Sequence, residues 1–279
     1  ELDWRNSIAR AINYTYLTEE IMQGAVNRMT SVVPDGIAYH KGDCPGLVDL
    51  NITEAREILI DAGLSGDLDV SSTDQDWIDV AEGTSPLKTI NYTYNSDNQV
   101  RADIGAWLQE DLKKIGLKIE LDGITWPEYV SRLYGDHDKL GLFFIGWIPD
   151  INDPSNYIDN LLKNGTIGNS AQFTNITIDN WCKDALKTTN TTERAELYEK
   201  AQCALASDYN RPWAFGYVGK GLDAWSTDVS NFPQNPLGKY WFADVVYTGT
   251  RGGIAGYEGV SLIGLAFVAV FAIFIKRRK

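Results

Sequence analysis

Residues 146–154 read Gly-Trp-Ile-Pro-Asp-Ile-Asn-Asp-Pro, and this stretch carries the side chains best suited to binding chemistry. It follows an apolar run, Leu140 to Ile145, whose composition predicts a buried strand. Trp147, Asp150, Asn152 and Asp153 are thereby delivered to the point where that strand ends. In open α/β sheets, ligands bind just outside the carboxyl ends of the strands. A carboxylate beside an aromatic ring at that place suits a ligand with a positive charge. The same residues also fit a turn in which Asp150 and Asp153 cap backbone amides and Pro154 opens a helix. At this level both readings stand.

The elements that must position the motif follow from pattern. Ser7 to Asn27 predicts one or two helices, and residues 30–50 a loop. Glu54 to Ala62 has helical spacing and stops at Gly63. Residues 64–87 are polar and poorly patterned. Lys88 to Tyr94 has strand character. Arg101 to Ile115 is amphipathic, with Ile104, Leu108, Leu112 and Ile115 on one face and Gly116 as its stop. Leu117, Ile119 and Leu121 alternate as a strand. Trp126 to Tyr134 is a helix with Pro127 in its first turn, and Leu140 to Trp147 is the buried strand. This β-α-β-α-β order predicts an α/β sheet. Beyond it lie a short helix, Asn156 to Leu162, and a helical pair, Ile178 to Lys187 and Thr192 to Ala206. Short strands and loops occupy 208–250.

The 279 residues carry a net charge of −13, although the last four, Lys276 to Lys279, are all basic. That balance excludes a nucleic-acid partner and a basic membrane-surface patch, and it is compatible with a cationic ligand. Val260 to Ile275 holds Ser261 as its one polar side chain. Extended to Tyr257, the run approaches the length that spans a bilayer. The basic cluster then places the C-terminus in the cytoplasm and everything before the span outside. Six Asn-x-Thr sequons, at Asn13, Asn51, Asn91, Asn164, Asn175 and Asn190, agree with an exported, glycosylated surface.

Of three cysteines, Cys182 and Cys203 sit on consecutive predicted helices, which predicts a disulfide between them and leaves Cys44 unpaired. No spacing suggests zinc, and His40 and His137 are the two histidines. No catalytic triad or phosphate loop is present, so no cofactor and no enzymatic activity are expected. A glycosidase pair formed by Asp150 and Asp153 is the enzymatic alternative. The absence of an initiating Met and of a signal peptide is read as a sign that the chain is the C-terminal part of something longer.

Several stretches together resemble the dipeptide- and oligopeptide-binding family of ABC-transporter extracytoplasmic solute-binding proteins. They are Ala9 to Tyr14, Thr18 to Ile21, Glu54 to Gly63, Leu108 to Gly116, Gly146 to Pro154 and Glu193 to Tyr198. The resemblance implies a two-lobed fold of periplasmic-binding-protein type that closes over its ligand about a hinge. On this reading residues 1–207 are the second lobe and 208–247 return into a first lobe that is mostly missing. A Gly-rich linker follows at 248–256, then a membrane helix at 257–275 and a cytoplasmic tail at 276–279. The resemblance further implies a peptide ligand, permease subunits with cytoplasmic ATPases as partners, and Asp150 as the group that binds the peptide's α-amino end, with Trp147 lining the cleft. Pro149 and Ile151 beside Asp150 depart from the small and aromatic residues more usual there. C-terminal tethering and the sequons look archaeal. Receptors for sugars or other solutes, and a surface sensory or structural protein, are the alternatives.

Overall fold

In a computed structural model of the protein, the described residues are 1–221, 224–232 and 242–249. They fall into two compact units, the first comprising 1–221. It opens with α1 (Leu2–Ala11) and a short α2 (Tyr14–Tyr16) that runs into a π turn over Leu17–Ile21, followed by β1 (Val26–Arg28). After α3 (Ile52–Asp61) and α4 (Asp74–Glu82) comes the alternating segment: β2 (Lys88–Asn95), α5 (Gln99–Asp111), β3 (Leu117–Ile124), α6 (Trp126–Tyr134) and β4 (Leu142–Phe143). The short α7 (Ile158–Leu161) precedes the antiparallel pair α8 (Ile176–Lys187) and α9 (Thr191–Ala206), and β5 (Tyr217–Gly219) returns to pair with β1. In the second unit, β6 (Val229–Ser230) pairs antiparallel with β7 (Val246–Tyr247). Among the described residues no helix is long and apolar enough to cross a membrane. The expected span, 257–275, lies outside them, as do residues 250–256 of the linker and the tail.

β2 is the centre of a parallel sheet. β3 pairs with it in register from Lys88↔Leu117 to Asn95↔Ile124, and β4 joins on the other side at Tyr92↔Leu142 and Thr93↔Phe143. The chain thus runs from β2 outward to β3 and then back across to β4. That reversal of direction falls between β2 and β4, and in open α/β sheets ligands bind outside the carboxyl ends of the strands at such a point. Gly116, at φ +74°, ends the helical run before β3, and a Cβ there would press on Leu87.

Several predicted elements appear at or near their expected bounds, and three expectations change. The segment 64–87 contains α4, secured by a reciprocal cap between Thr73 and Asp76 and by the fully buried Trp77. The expected strand from Leu140 to Trp147 shrinks to two half-buried residues, and Ile145 is 39% exposed. The chain leaves the sheet there because Phe144 stacks on Tyr217 (5.4 Å) and gives its carbonyl to the Tyr129 hydroxyl (2.9 Å) rather than to a ladder.

The third change is the disulfide, which joins Cys44, not Cys182, to Cys203. The core face of α9 carries Tyr198, Ala201 and Leu205, while Cys203 looks off it toward the loop of Cys44. Cys182 is buried in that core, where loss of water first, and the Asp159 charge second, push its thiol up to about 12. The sequons also acquire a structural role: Asn13, Asn51, Asn175 and Asn190 each cap a helix through the side-chain oxygen.

Two apolar clusters fill the first unit. One packs α1, α3, α4 and α5 against the sheet, with Trp77, Tyr92, Leu112 and Ile119 at its heart. The other packs α7, α8 and α9 with Val32, Val33 and Phe215. A polar joint lies beside them, its two guanidiniums nearly buried and its carboxylates about half exposed. Arg10 and Arg211 both bond the carboxylate of Asp208, Arg10 also pairs with Glu54, and Arg211 reaches Asn6 and the carbonyl of Gly46.

The disulfide closes a loop of sequence separation 159, so its removal in Cys203→Ser is expected to cost about 2–4 kcal/mol in urea denaturation. A non-reducing peptide map is expected to recover the 44–203 link. Alkylation is expected to reach Cys182 only after unfolding. Burial alone would raise the Asp208 carboxyl, but the two guanidiniums outweigh it and hold it below its ordinary value. The joint's contribution is therefore full above the ordinary carboxylate range and is lost as pH falls through the lower folded value. Asp208→Asn is expected to flatten the acid limb of the stability–pH curve in the same denaturation measurement.

Candidate functional site

The motif leaves the end of β4 and is turned back onto the protein within a few residues. Pro149 is buried and Asp150 to Asp153 form bends. A single 3-10 turn, Pro154–Asn156, follows, with Asp153 accepting the Ser155 amide (2.9 Å) as its cap. Pro154 suits the first position of that turn because its missing N–H is not needed there.

Side chains of the candidate binding residues help to hold this shape. The Asp153 carboxylate receives Arg194 Nη2 at 2.9 and 2.8 Å. Arg194, with its guanidinium over the ring of Tyr198, also donates to the Ala185 carbonyl. The guanidinium stays charged despite its loss of water because Asp153 lies against it. Asn152 accepts the backbone N–H of Ala38 (2.7 Å), fastening the motif to the 29–51 loop. Trp147 is half-buried and donates its Nε1–H to Asn156 Oδ1 (2.9 Å). The same oxygen takes the backbone N–H of Asp150 (3.1 Å).

The Asp150 side chain is exposed. Near it in sequence Ile148 and Ile151 are 80% and 53% exposed, so the exposed stretch holds both a carboxylate and apolar side chains. Of the two carboxylates, Asp153 caps a backbone amide, and Asp150 belongs to an exposed residue.

Beneath the motif Asp159 is buried, which raises its carboxyl; Lys163 and the Tyr198 hydroxyl (3.2 Å) act against that rise. At the carboxyl ends of β2 and β3 stands a second group that sequence reading missed. Arg101 donates to Asn95 Oδ1 and lies 5.4 Å from the Tyr129 ring and 5.8 Å from that of Trp126. Asn156 was missed too. Its signal is faint, a buried amide two residues beyond a helix-opening proline. The pairing of Arg194 with Asp153 spans 41 residues, and no local pattern announces it.

His40 Nδ1 lies 2.7 Å from the Val33 carbonyl. His137 bonds the Leu133 carbonyl (2.9 Å) and Gln172 (2.9 Å), so both its nitrogens are in use within the fold. Among the described residues no group of three or more His, Cys, Asp or Glu could hold a metal ion. An open polar depression lined by Asn91, Glu120, Leu121, Asp122, Arg132 and Lys139 lies elsewhere. Its cations are satisfied by neighbours, Arg132 by Asp122 and Glu128, and Lys139 by Asp136.

Arg194→Ala is expected to leave Asp153 without its bonded charge and to destabilise the protein by about 1.5–3 kcal/mol. Urea denaturation checks this, with the slope unchanged.

Comparison with known proteins gives a consistent picture. The family described as bacterial extracellular solute-binding proteins, family 5 middle, matches residues 2–169, more than half of the chain. The di/tripeptide-binding protein 1 of Pseudomonas aeruginosa is 28% identical over 211 residues, covering 72% of this chain and 34% of that protein. The heme-binding protein A of Haemophilus influenzae is 26% identical over 236 residues, covering 84% and 39%. Among solved structures, the dipeptide-binding protein of a Pseudoalteromonas strain in complex with Met-Leu matches with a TM-score of 0.67 at 21% identity, covering 88% of this chain and 45% of that one. The chain spans less than half the length of each of these proteins. With a family match that covers more than half of the chain and runs through the motif, the chain belongs to the family 5 extracellular solute-binding proteins.

Proposed function

We propose that this chain forms much of the ligand-gripping second lobe of an extracytoplasmic receptor, which captures peptides and delivers them to an ABC permease driven by cytoplasmic ATPases. The observation that carries the reading is the exposed carboxylate of Asp150, on an exposed stretch with Ile148 and Ile151 at the carboxyl end of β4. A peptide brings an α-ammonium group and apolar side chains together, and this arrangement offers a counterpart to each. A charge-assisted hydrogen bond to an ammonium is strong once water is excluded. Closure of the two lobes about a hinge would exclude it, the ligand favouring the closed form by its greater affinity for it. No bond in the ligand is made or broken.

The di/tripeptide-binding relative supports peptides as the solute class. The heme-binding relative marks another solute carried on a similar chain. The remaining assignments keep their places in it: residues 1–207 as the second lobe, 208–247 as the return toward the first, 248–256 as a linker and 257–275 as a membrane helix with a cytoplasmic tail. A cell-surface protein with glycans on some of its six sequons, from an archaeal source, is the setting that fits them. Trp147, Asn152 and Asp153 belong to the site as its frame, and Asp150 as its contact.

Asp150→Asn removes the charge at nearly constant shape. It is expected to weaken peptide binding by more than about tenfold, or about 1.4 kcal/mol, with thermal stability unchanged. Calorimetry on the intact protein checks this, and an affinity equal to that of the unaltered protein would dismiss the amine-anchor role.

A further inference from the structure

We propose that Asn156 is the positioning residue of the ligand site, resting on the peptide reading above: its buried amide oxygen sets both the ring of Trp147 and the backbone that presents Asp150. Oδ1 of an asparagine has two lone pairs, and here two donors converge on it. Trp147 Nε1 stands at 2.9 Å and the Asp150 backbone nitrogen at 3.1 Å. Asn156 itself is only 8% exposed, so it is placed to act through its neighbours rather than by touching a solute.

The oxygen is held as firmly as it holds. Asn156 ends a 3-10 turn whose proline fixes the backbone, its own N–H bonds the Asp153 carbonyl (3.1 Å), and its carbonyl takes the Asn160 side chain (3.2 Å). Asp153, at the head of the turn, is fastened to Arg194 on α9. One acceptor therefore transmits the rigidity of α9 and the turn to the exposed loop 147–151. Without it, an indole N–H and a backbone N–H must both find new partners. Both donors are part-buried, and water replaces the lost acceptor when the loop moves out toward it, carrying the Asp150 carboxylate with it. A hydrogen bond weakens steeply with misdirection, so a displaced carboxylate loses its preference for an ammonium group before it loses general affinity for the peptide.

The test is a comparison of trialanine with N-acetyl-trialanine by calorimetry on the intact protein, for the unaltered chain and for Asn156→Ala, Asn156→Asp and Asp150→Asn. The unaltered protein is expected to prefer the free amine by more than about tenfold, and Asp150→Asn to bind both forms alike. Asn156→Ala is expected to cut the preference at least fivefold. Asn156→Asp, which keeps an acceptor at the same reach, is expected to restore it. If Asn156→Ala does not fold, Asn156→Ser, whose hydroxyl is too short to serve both donors, gives the same readout. Asn156→Ala weakening both peptides equally, with the preference intact, would overturn the proposal and leave the residue a purely structural one. An unaltered protein without a preference, or binding neither peptide, would instead overturn the amine-anchor reading and the proposal with it.

Discussion

The carboxylate of Asp208, bonded by both Arg10 and Arg211, is the interaction on which the geometry of the first unit depends. Two apolar clusters could slide or tilt against one another, because apolar contact is not directional. Charge-assisted hydrogen bonds are directional, and here they join two parts of the chain. Arg10 comes from α1, which packs in the sheet-bearing cluster, and Arg211 from the segment after α9. Arg211 further ties Asn6 and Gly46. Removing Asp208 would take the shared charged partner from two nearly buried guanidiniums, leaving Arg10 with Glu54 and Arg211 with Asn6 and Gly46. The joint is thus better described as fixing an arrangement than as adding net stability.

That arrangement matters because the motif begins on one cluster and ends on the other. β4 belongs to the sheet, while Trp147 packs against the α8–α9 cluster and Asp153 is bonded to α9. A rotation between the clusters would stretch the nine residues 146–154. With the clusters fixed, the loop is a short bridge pinned at both ends and once in the middle, where Asn152 accepts the Ala38 amide. Rigid elements hold functional groups better than free loops do, and this loop acquires its rigidity from side chains rather than from secondary structure.

The elements that could be read from the sequence are those decided by local chemistry. Trp126 to Tyr134 was legible residue for residue, with Pro127 marking its first turn, and the structure adds Thr125 as its cap. The parallel β-α-β-α-β order followed from period alone. What stayed hidden was decided at a distance. α4 hides its apolar face in two residues, Trp77 and Ala81, among charges. The apolar run at 140–145 looked like a full strand, yet Tyr129 and Tyr217, neither of them adjacent in sequence, draw Phe144 away from the ladder. The disulfide misled for the same reason: helix order suggested Cys182, whereas the partner of Cys203 is fixed by a loop 159 residues away. For the site, the motif and its carboxylates were visible, but the division of work between Asp150 and Asp153 depends on Arg194, and the hub on Asn156, both settled by folding.

This division also bears on how such a surface can hold a solute firmly. An ion pair at an exposed carboxylate contributes little in water, because the ions are already solvated and salt screens them. Asp150 meets solvent, and so do Ile148 and Ile151 beside it. Their value appears only when a facing surface removes the water: the apolar side chains then gain from burial, and the carboxylate acts in a medium where a nearby ammonium is attracted far more strongly. The loop's stiffness keeps the cost of that step low, since little remains to be ordered when the solute arrives. On the proposed reading, such a carboxylate would be weak while wet and strong when covered, and opening would release the solute.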